Sequence, residues 1–139
     1  MALFDTLPRF GFHERSSGSI EFDILDRDGQ GVPVAGIQFA ELTLFDWDTG
    51  AGWAGESPRP GIINGRDGQN INNANDVELT DPSGETPGHV LWNVQPEDNV
   101  IVTDRRQVER HRAMFHFEWS SGSFDWECEL VVKNLRLEA

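Results

Sequence analysis

Apolar and polar residues alternate most regularly between Arg110 and Leu135. Ala113, Phe115, Phe117 and Trp119 take every second position, with Met114, His116 and Glu118 between them. Phe124, Trp126, Cys128, Leu130 and Val132 then repeat the pattern against Asp125, Glu127, Glu129, Val131 and Lys133. Successive side chains of a strand point to opposite faces, so this period predicts two strands, each with one apolar face. The polar stretch Ser120-Ser121-Gly122-Ser123 between them predicts a hairpin turn. With that stretch as the loop, Trp119 is expected opposite Phe124, Phe117 opposite Trp126 and Ala113 opposite Leu130. Phe115, Phe117, Trp119, Phe124, Trp126, Cys128 and Leu130 are then the structural core. On the polar face, His116 is expected opposite Glu127, with Arg112 diagonal to Glu129, as ordinary cross-strand charge pairs.

Shorter runs continue the all-β pattern. Ile20 to Leu25 predicts an opening strand, closed by Asp26-Arg27-Asp28-Gly29-Gln30-Gly31. That loop has the acidic spacing of a calcium site, but Ile37 stands where the bidentate Glu would be needed, so a tight turn is the better reading. Ile37 to Trp47 predicts a long strand with a change of phase around Ala40-Glu41. Asp76 to Leu79 and His89 to Val94 predict two more, and Pro96-Glu97-Asp98-Asn99 a single helical turn. Six or seven strands without a long helix predict an antiparallel sandwich or barrel over residues 19–139, and the order of the pieces suggests an immunoglobulin-like β-sandwich.

Two segments stand apart from this scaffold. Residues 1–18 carry Leu3, Phe4, Leu7, Phe10 and Phe12 without a clean period. They predict an extended N-terminal arm, covered either by the domain's own open edge or by another subunit. Residues 51–75 are rich in Gly, Pro and Asn yet include Trp53, Ile62 and Ile63, which predicts a long ordered loop insertion rather than a linker.

Composition narrows the chemistry. The chain has 139 residues, enough for one core without a disulfide framework, and its lone cysteine, Cys128, falls on an inward face. A net charge of −13 opposes binding to nucleic acid or to an anionic membrane surface. No run approaches the roughly 20 apolar residues of a membrane span, and no signal peptide is evident at the start, so synthesis in a cytoplasm is expected. Arg105, Arg106, Arg110 and Arg112 form one locally basic patch, read either as internal charge pairing or as a docking point for an acidic partner. His111 and His116 have an odd separation and so face opposite ways on one strand, while His13 and His89 lie elsewhere. No convergent ligand set, phosphate loop or activated nucleophile is evident, so no catalytic residue, metal site or cofactor is expected.

The opening strand with its DxxG turn (Phe22 to Gly29), Pro33-Val34-Ala35-Gly36-Ile37 before a long strand, Trp92 followed by Gln95-Pro96-Glu97-Asp98-Asn99, and the closing hairpin together resemble the small immunoglobulin-like domains of tailed-phage virion proteins. These occur at the N-terminus of baseplate upper proteins and as free-standing products of phage structural genes. The resemblance covers residues 19–135; the 51–75 insertion and the arm depart from it. It implies a non-enzymatic structural virion protein made in the host bacterium's cytoplasm, with no catalytic residues to carry over. The free-standing size and acidic charge favour a capsid decoration or cement protein, homo-oligomeric in the particle, that binds the major capsid protein. A neck, tail or baseplate component is the alternative location. A carbohydrate-binding module using Trp47 and Trp53 is the alternative function. Leu3, Phe4, Leu7, Phe10, Phe12, Trp53, Ile62, Ile63, Arg105 and Arg106 are the candidate partner-binding residues.

Overall fold

A computed structural model describes residues 7–47, 61–72, 74–102 and 107–134. Strands β1 (Arg9–His13), β2 (Gly18–Asp23), β3 (Ile37–Asp46), β4 (Gln69–Asn70), β5 (Val77–Thr80), β6 (His89–Val94), β7 (Val108–Trp119) and β8 (Gly122–Lys133) form two packed sheets. One has five strands in the order β1-β8-β7-β3-β4, and the other three in the order β2-β6-β5. The fold is an all-β sandwich rather than a barrel. Among the described residues its helical content is confined to short 3-10 turns at Val34–Gly36 and Pro96–Asn99, and no helix is long and apolar enough to cross a membrane.

The closing hairpin dominates the larger sheet, and its turn is tighter than the four-residue loop expected from the sequence. Trp119 pairs with Gly122, Phe117 with Phe124, Phe115 with Trp126 and Ala113 with Cys128, leaving only Ser120-Ser121 in the turn. A side chain is what Gly122 must lack: a Cβ there would come within 3.1 Å of the Trp119 indole, which lies across the glycine. The expected pairings were therefore off by two residues, and His116 faces Asp125 instead of Glu127. A two-residue slip preserves the face of every side chain, so the apolar set still points inward.

The core lies between the sheets. Leu42 and Leu44 of β3, Ala113, Phe115 and Phe117 of β7, and Cys128, Leu130 and Val132 of β8 meet Ile20, Val90, Trp92 and Val94 from the smaller sheet, all buried. Phe22 joins the layers: it stacks on Trp126 at 4.0 Å and 8°, and meets Phe115 edge-on at 5.0 Å. Trp119, Phe124 and Trp126 are only partly buried against the core, not fully enclosed as expected.

Three other expectations are corrected. Residues 9–13 do not stand apart from the sandwich as an arm: they form β1 on the domain's own open edge, one of the two coverings expected, and run parallel to β8, which makes the sandwich not wholly antiparallel. The irregularity in β3 falls between Ile37 and Phe39, before the Ala40-Glu41 step. The second half of the insertion belongs to the sheet, since Ile62 bridges Phe45 and β4 pairs with Glu41 and Leu42 of β3.

Phe115 is buried with aromatic neighbours on every side, so Phe115→Ala is predicted to cost about 3–5 kcal/mol as a large core truncation. Trp126→Ala is expected to cost less, because part of that ring remains in solvent. Urea unfolding of both variants checks the ranking; a larger loss for Trp126→Ala would overturn it.

Candidate functional site

The insertion is held by one buried cation. Asn64 and Gly65 take positive φ values of 54° and 65°, and Gly68 one of 63°, which turns the chain sharply on either side of Arg66. The backbone stays on β3: Ile63 N–H donates to Leu44 O at 2.9 Å, and Leu44 N–H donates to Arg66 O at 2.8 Å. The Arg66 side chain then runs inward and is only 2% exposed. Its Nε and Nη2 donate to the two oxygens of buried Asp98 at 2.6 and 3.0 Å. Nη1 donates to Gln69 Oε1 at 2.7 Å, and Nη2 also reaches Asp76 Oδ2. Asp98 accepts further from Asn64 Nδ2 at 2.9 Å and from Gln95 N–H at 2.8 Å. Burial opposes the guanidinium charge, but the bonds to Asp98 and Asp76 outweigh it and raise the Arg66 pKa above its ordinary value.

A second buried polar group lies at the C-terminal end of β3. Asp46 and His111 are register partners across β3 and β7, and Glu109 lies one step along the same inward face. All three are buried, with ligand-capable atoms within 4.8 Å of one another. This corrects the expectation that no ligand set converges. His111 Nε2–H donates to Glu109 Oε1 at 2.5 Å, and the same oxygen accepts Val102 N–H at 2.9 Å. Two ligand atoms on a tetrahedral ion at about 2.1 Å stand roughly 3.4 Å apart. The His111–Glu109 separation is thus that of a hydrogen bond, while His111 Nδ1 is buried with no hydrogen-bond partner among the described residues. The group's signal was present in the sequence, because Glu109 and His111 continue the inward parity of Ala113, Phe115 and Phe117, and Asp46 that of Leu42 and Leu44. Arg66 carried no comparable signal.

The outer faces carry histidines bracketed by acids. On the smaller sheet, His89 Nδ1 meets Asp23 at 2.9 Å and Nε2 meets Glu21 at 2.8 Å. On the larger, His116 Nδ1 meets Asp125 and Nε2 meets Glu118 at 2.7 Å. Ionised carboxylates only accept, so flanking acids on both ring nitrogens favour the doubly protonated imidazolium form of each ring. The hydrogen bond to Asp23, then that to Glu21, raises the His89 pKa; Asp125, then Glu118, raises that of His116. His116 also borders an open trough of about 370 Å³ with Glu41, Thr43, Met114 and Glu127. Burial pushes the Cys128 thiol up to about 12, which leaves it unreactive.

The candidate partner-binding residues divide. Leu7 is half-buried, while Phe10 and Phe12 lie against the core from β1. Ile62 is half-buried and Ile63 is fully inside, so Ile63 seals this domain rather than facing a partner. Leu3, Phe4, Trp53, Arg105 and Arg106 lie outside the described residues. Of the expected basic patch, Arg112 sits over the Trp47 ring at 4.0 Å and approaches Glu127 at 3.3 Å, and Arg110 faces Glu129 at 3.8 Å. These contacts favour internal charge pairing for that half of the patch. Compared with known proteins, the chain matches no family model, no curated protein and no solved structure.

Asp98→Asn removes the charge opposite a buried guanidinium and is predicted to destabilise by about 3–5 kcal/mol; chemical denaturation reads this directly. Replacing Arg66 and Asp98 together with Leu is expected to cost less than the sum of the two single changes. A second prediction concerns pH. Raised folded pKa values mean that His89 and His116 stabilise the fold fully below the ordinary imidazole value of about 6.5. That contribution is lost as pH rises through the raised values. Melting temperatures of the chain and of a His89→Gln/His116→Gln variant are expected to differ most in mild acid and to converge in alkali; a constant gap would refute the linkage.

Proposed function

We propose that the chain is a non-enzymatic structural protein of a tailed-phage virion: an immunoglobulin-like domain that decorates the capsid by binding neighbouring capsid subunits. The observation that carries this reading is the strand order. The order β2-β6-β5 in one sheet and β3-β7-β8 in the other is consistent with the B-E-D and C-F-G order of an immunoglobulin sandwich, which supports the fold that the phage resemblance implies. The Gln95-to-Asn99 motif on which the resemblance partly rests has a physical role here, since Asp98 anchors the insertion through Arg66. In this reading the protein is made in the bacterial cytoplasm and resides in the virion as repeated copies. The scaffold carries two additions, the apolar N-terminal segment and the 51–75 insertion, that grip neighbours. A neck or tail position uses the same surfaces. The carbohydrate-binding alternative is weakened at Trp47: the ring is 41% exposed, but the Arg112 guanidinium already covers one face at 4.0 Å, where a sugar would stack.

The sheet begins at Arg9, so a truncation lacking residues 1–6 keeps every described strand. It is expected to retain a cooperative melt, with stability changed by no more than about 0.5 kcal/mol, yet to lose attachment to phage particles in a sedimentation assay. Normal attachment by the truncated chain would sink the proposal. Electron microscopy of decorated particles separates head from tail.

A further inference from the structure

The outer edge of β1 has the features of a strand-accepting site. Glu129 N–H donates to Pro8 O at 2.9 Å and Glu14 N–H to Lys133 O at 2.8 Å, so even-numbered residues of this segment face β8. In a parallel ladder, the N–H and C=O groups of the intervening residues point the other way. Those of Arg9 and Gly11 and the N–H of His13 therefore lie along the end of the sheet, and among the described residues no backbone group pairs with them. The His13 carbonyl is already used, accepting from Ser16 N–H at 3.0 Å and Ser16 Oγ at 2.7 Å.

Gly11 is the second feature. A glycine within a strand often marks the close approach of another backbone. A Cβ on Gly11 would meet nothing within 4 Å, so no neighbour among the described residues explains its choice. The missing side chain leaves a shallow trough of about 270 Å³, with Val131 at its floor and His13 and Lys133 at its rim. Arg9, its side chain 68% exposed while its Nε meets Glu129 at 2.7 Å, lies on this flank with exposed His13 and Arg15, in a chain whose net charge is −13.

We propose that this edge binds an extended segment of a neighbouring protein carrying an acidic residue, a bulky apolar residue and a second acidic residue at alternate positions. Added beside β1, such a strand sets its acids next to Arg9 and His13 and its apolar side chain over the Gly11 trough, while its backbone completes the ladder. Nowhere does this chain's own sequence contain acidic residues four apart with a bulky apolar residue midway, so the occupant is a different protein rather than a second copy. The inference rests on the assembly reading for the source of that protein.

The test uses the whole chain and the capped peptide Thr-Glu-Thr-Phe-Thr-Glu-Thr, with the same peptide carrying Lys for Glu as control, followed by amide NMR. Binding of the acidic peptide is expected to shift Arg9, Gly11 and His13, to weaken with salt, and to exceed that of the Lys peptide. Gly11→Pro removes one outward N–H without touching the β8 bonds and is expected to weaken binding about tenfold or more. Gly11→Ala keeps the N–H but places a methyl in the trough, so it is expected to weaken binding less than Gly11→Pro does; equal melts for both variants establish that the fold is intact. Equal binding of the two peptides, shifts elsewhere on the surface, or undiminished binding by Gly11→Pro would overturn the proposal. So would dimerisation at raised protein concentration that Gly11→Pro abolishes, since a second copy would then be the occupant. Absent peptide binding with normal particle attachment refutes the edge alone, whereas peptide binding without particle attachment refutes the virion reading alone.

Discussion

The contact between Arg66 and Asp98 is the constraint on which the rest of the sandwich depends. Burying a guanidinium is costly unless every donor is met and the charge is opposed. Here Nε and Nη2 meet the Asp98 carboxylate, Nη1 meets Gln69 and Nη2 also meets Asp76. Those partners come from separate stretches, so the pair forms only when the insertion, the start of β5 and the 95–99 turn are all in place. Backbone bonds to β3 at Ile63, Arg66 and Ile71 and the burial of Ile63 and Ile71 seat the insertion on the larger sheet, and the Arg66–Asp98 pair ties it to the 95–99 turn. Lysine would not substitute equally, because three donors on a single nitrogen cannot reach the four acceptor oxygens that the planar guanidinium fork meets.

How much of this was legible follows from the range of each signal. The hairpin strands and their faces were readable because strand periodicity is local and repeats over twelve residues in each strand. Their pairing was not, since turns of two and four residues leave the same faces inward. The observed two-residue turn lays the Trp119 ring over Gly122, a contact with no periodic signature. The buried Asp46, Glu109 and His111 stood on inward positions and were readable in principle, but polar residues at strand ends are ordinarily taken as the end of the pattern. Arg66 was beyond reach: it is flanked by turn residues, and Asp98 lies 32 positions away.

The outer faces show how an acidic chain tolerates its own charge. Glu21 and Asp23 share one face of β2, and Asp125 lies opposite His116 with Glu118 two residues along β7. Each set encloses an imidazolium rather than an arginine or lysine. In mild acid each imidazolium offsets one of its two carboxylates, and that offset fades as pH rises, so both outer faces become more negative at these patches. Arginine or lysine at these positions would have fixed the charge across the whole range.

The turn that anchors the insertion also anchors the first strand. Asn99, next to Asp98 and equally buried, donates through Nδ2 to Ser16 O at 2.8 Å and accepts Arg15 N–H on its carbonyl at 2.7 Å. Arg15 takes a positive φ of 58° at that corner, a strained conformation for a residue with a side chain. The corner is where the chain leaves β1 in one sheet and enters β2 in the other. One adjacent pair of residues thus positions both features that depart from the bare sandwich, the insertion through Arg66 and the β1 edge through Arg15 and Ser16. A load on either is carried into the same buried turn, and a short motif of polar residues is retained in the interior because two backbone segments and a buried cation all terminate on it.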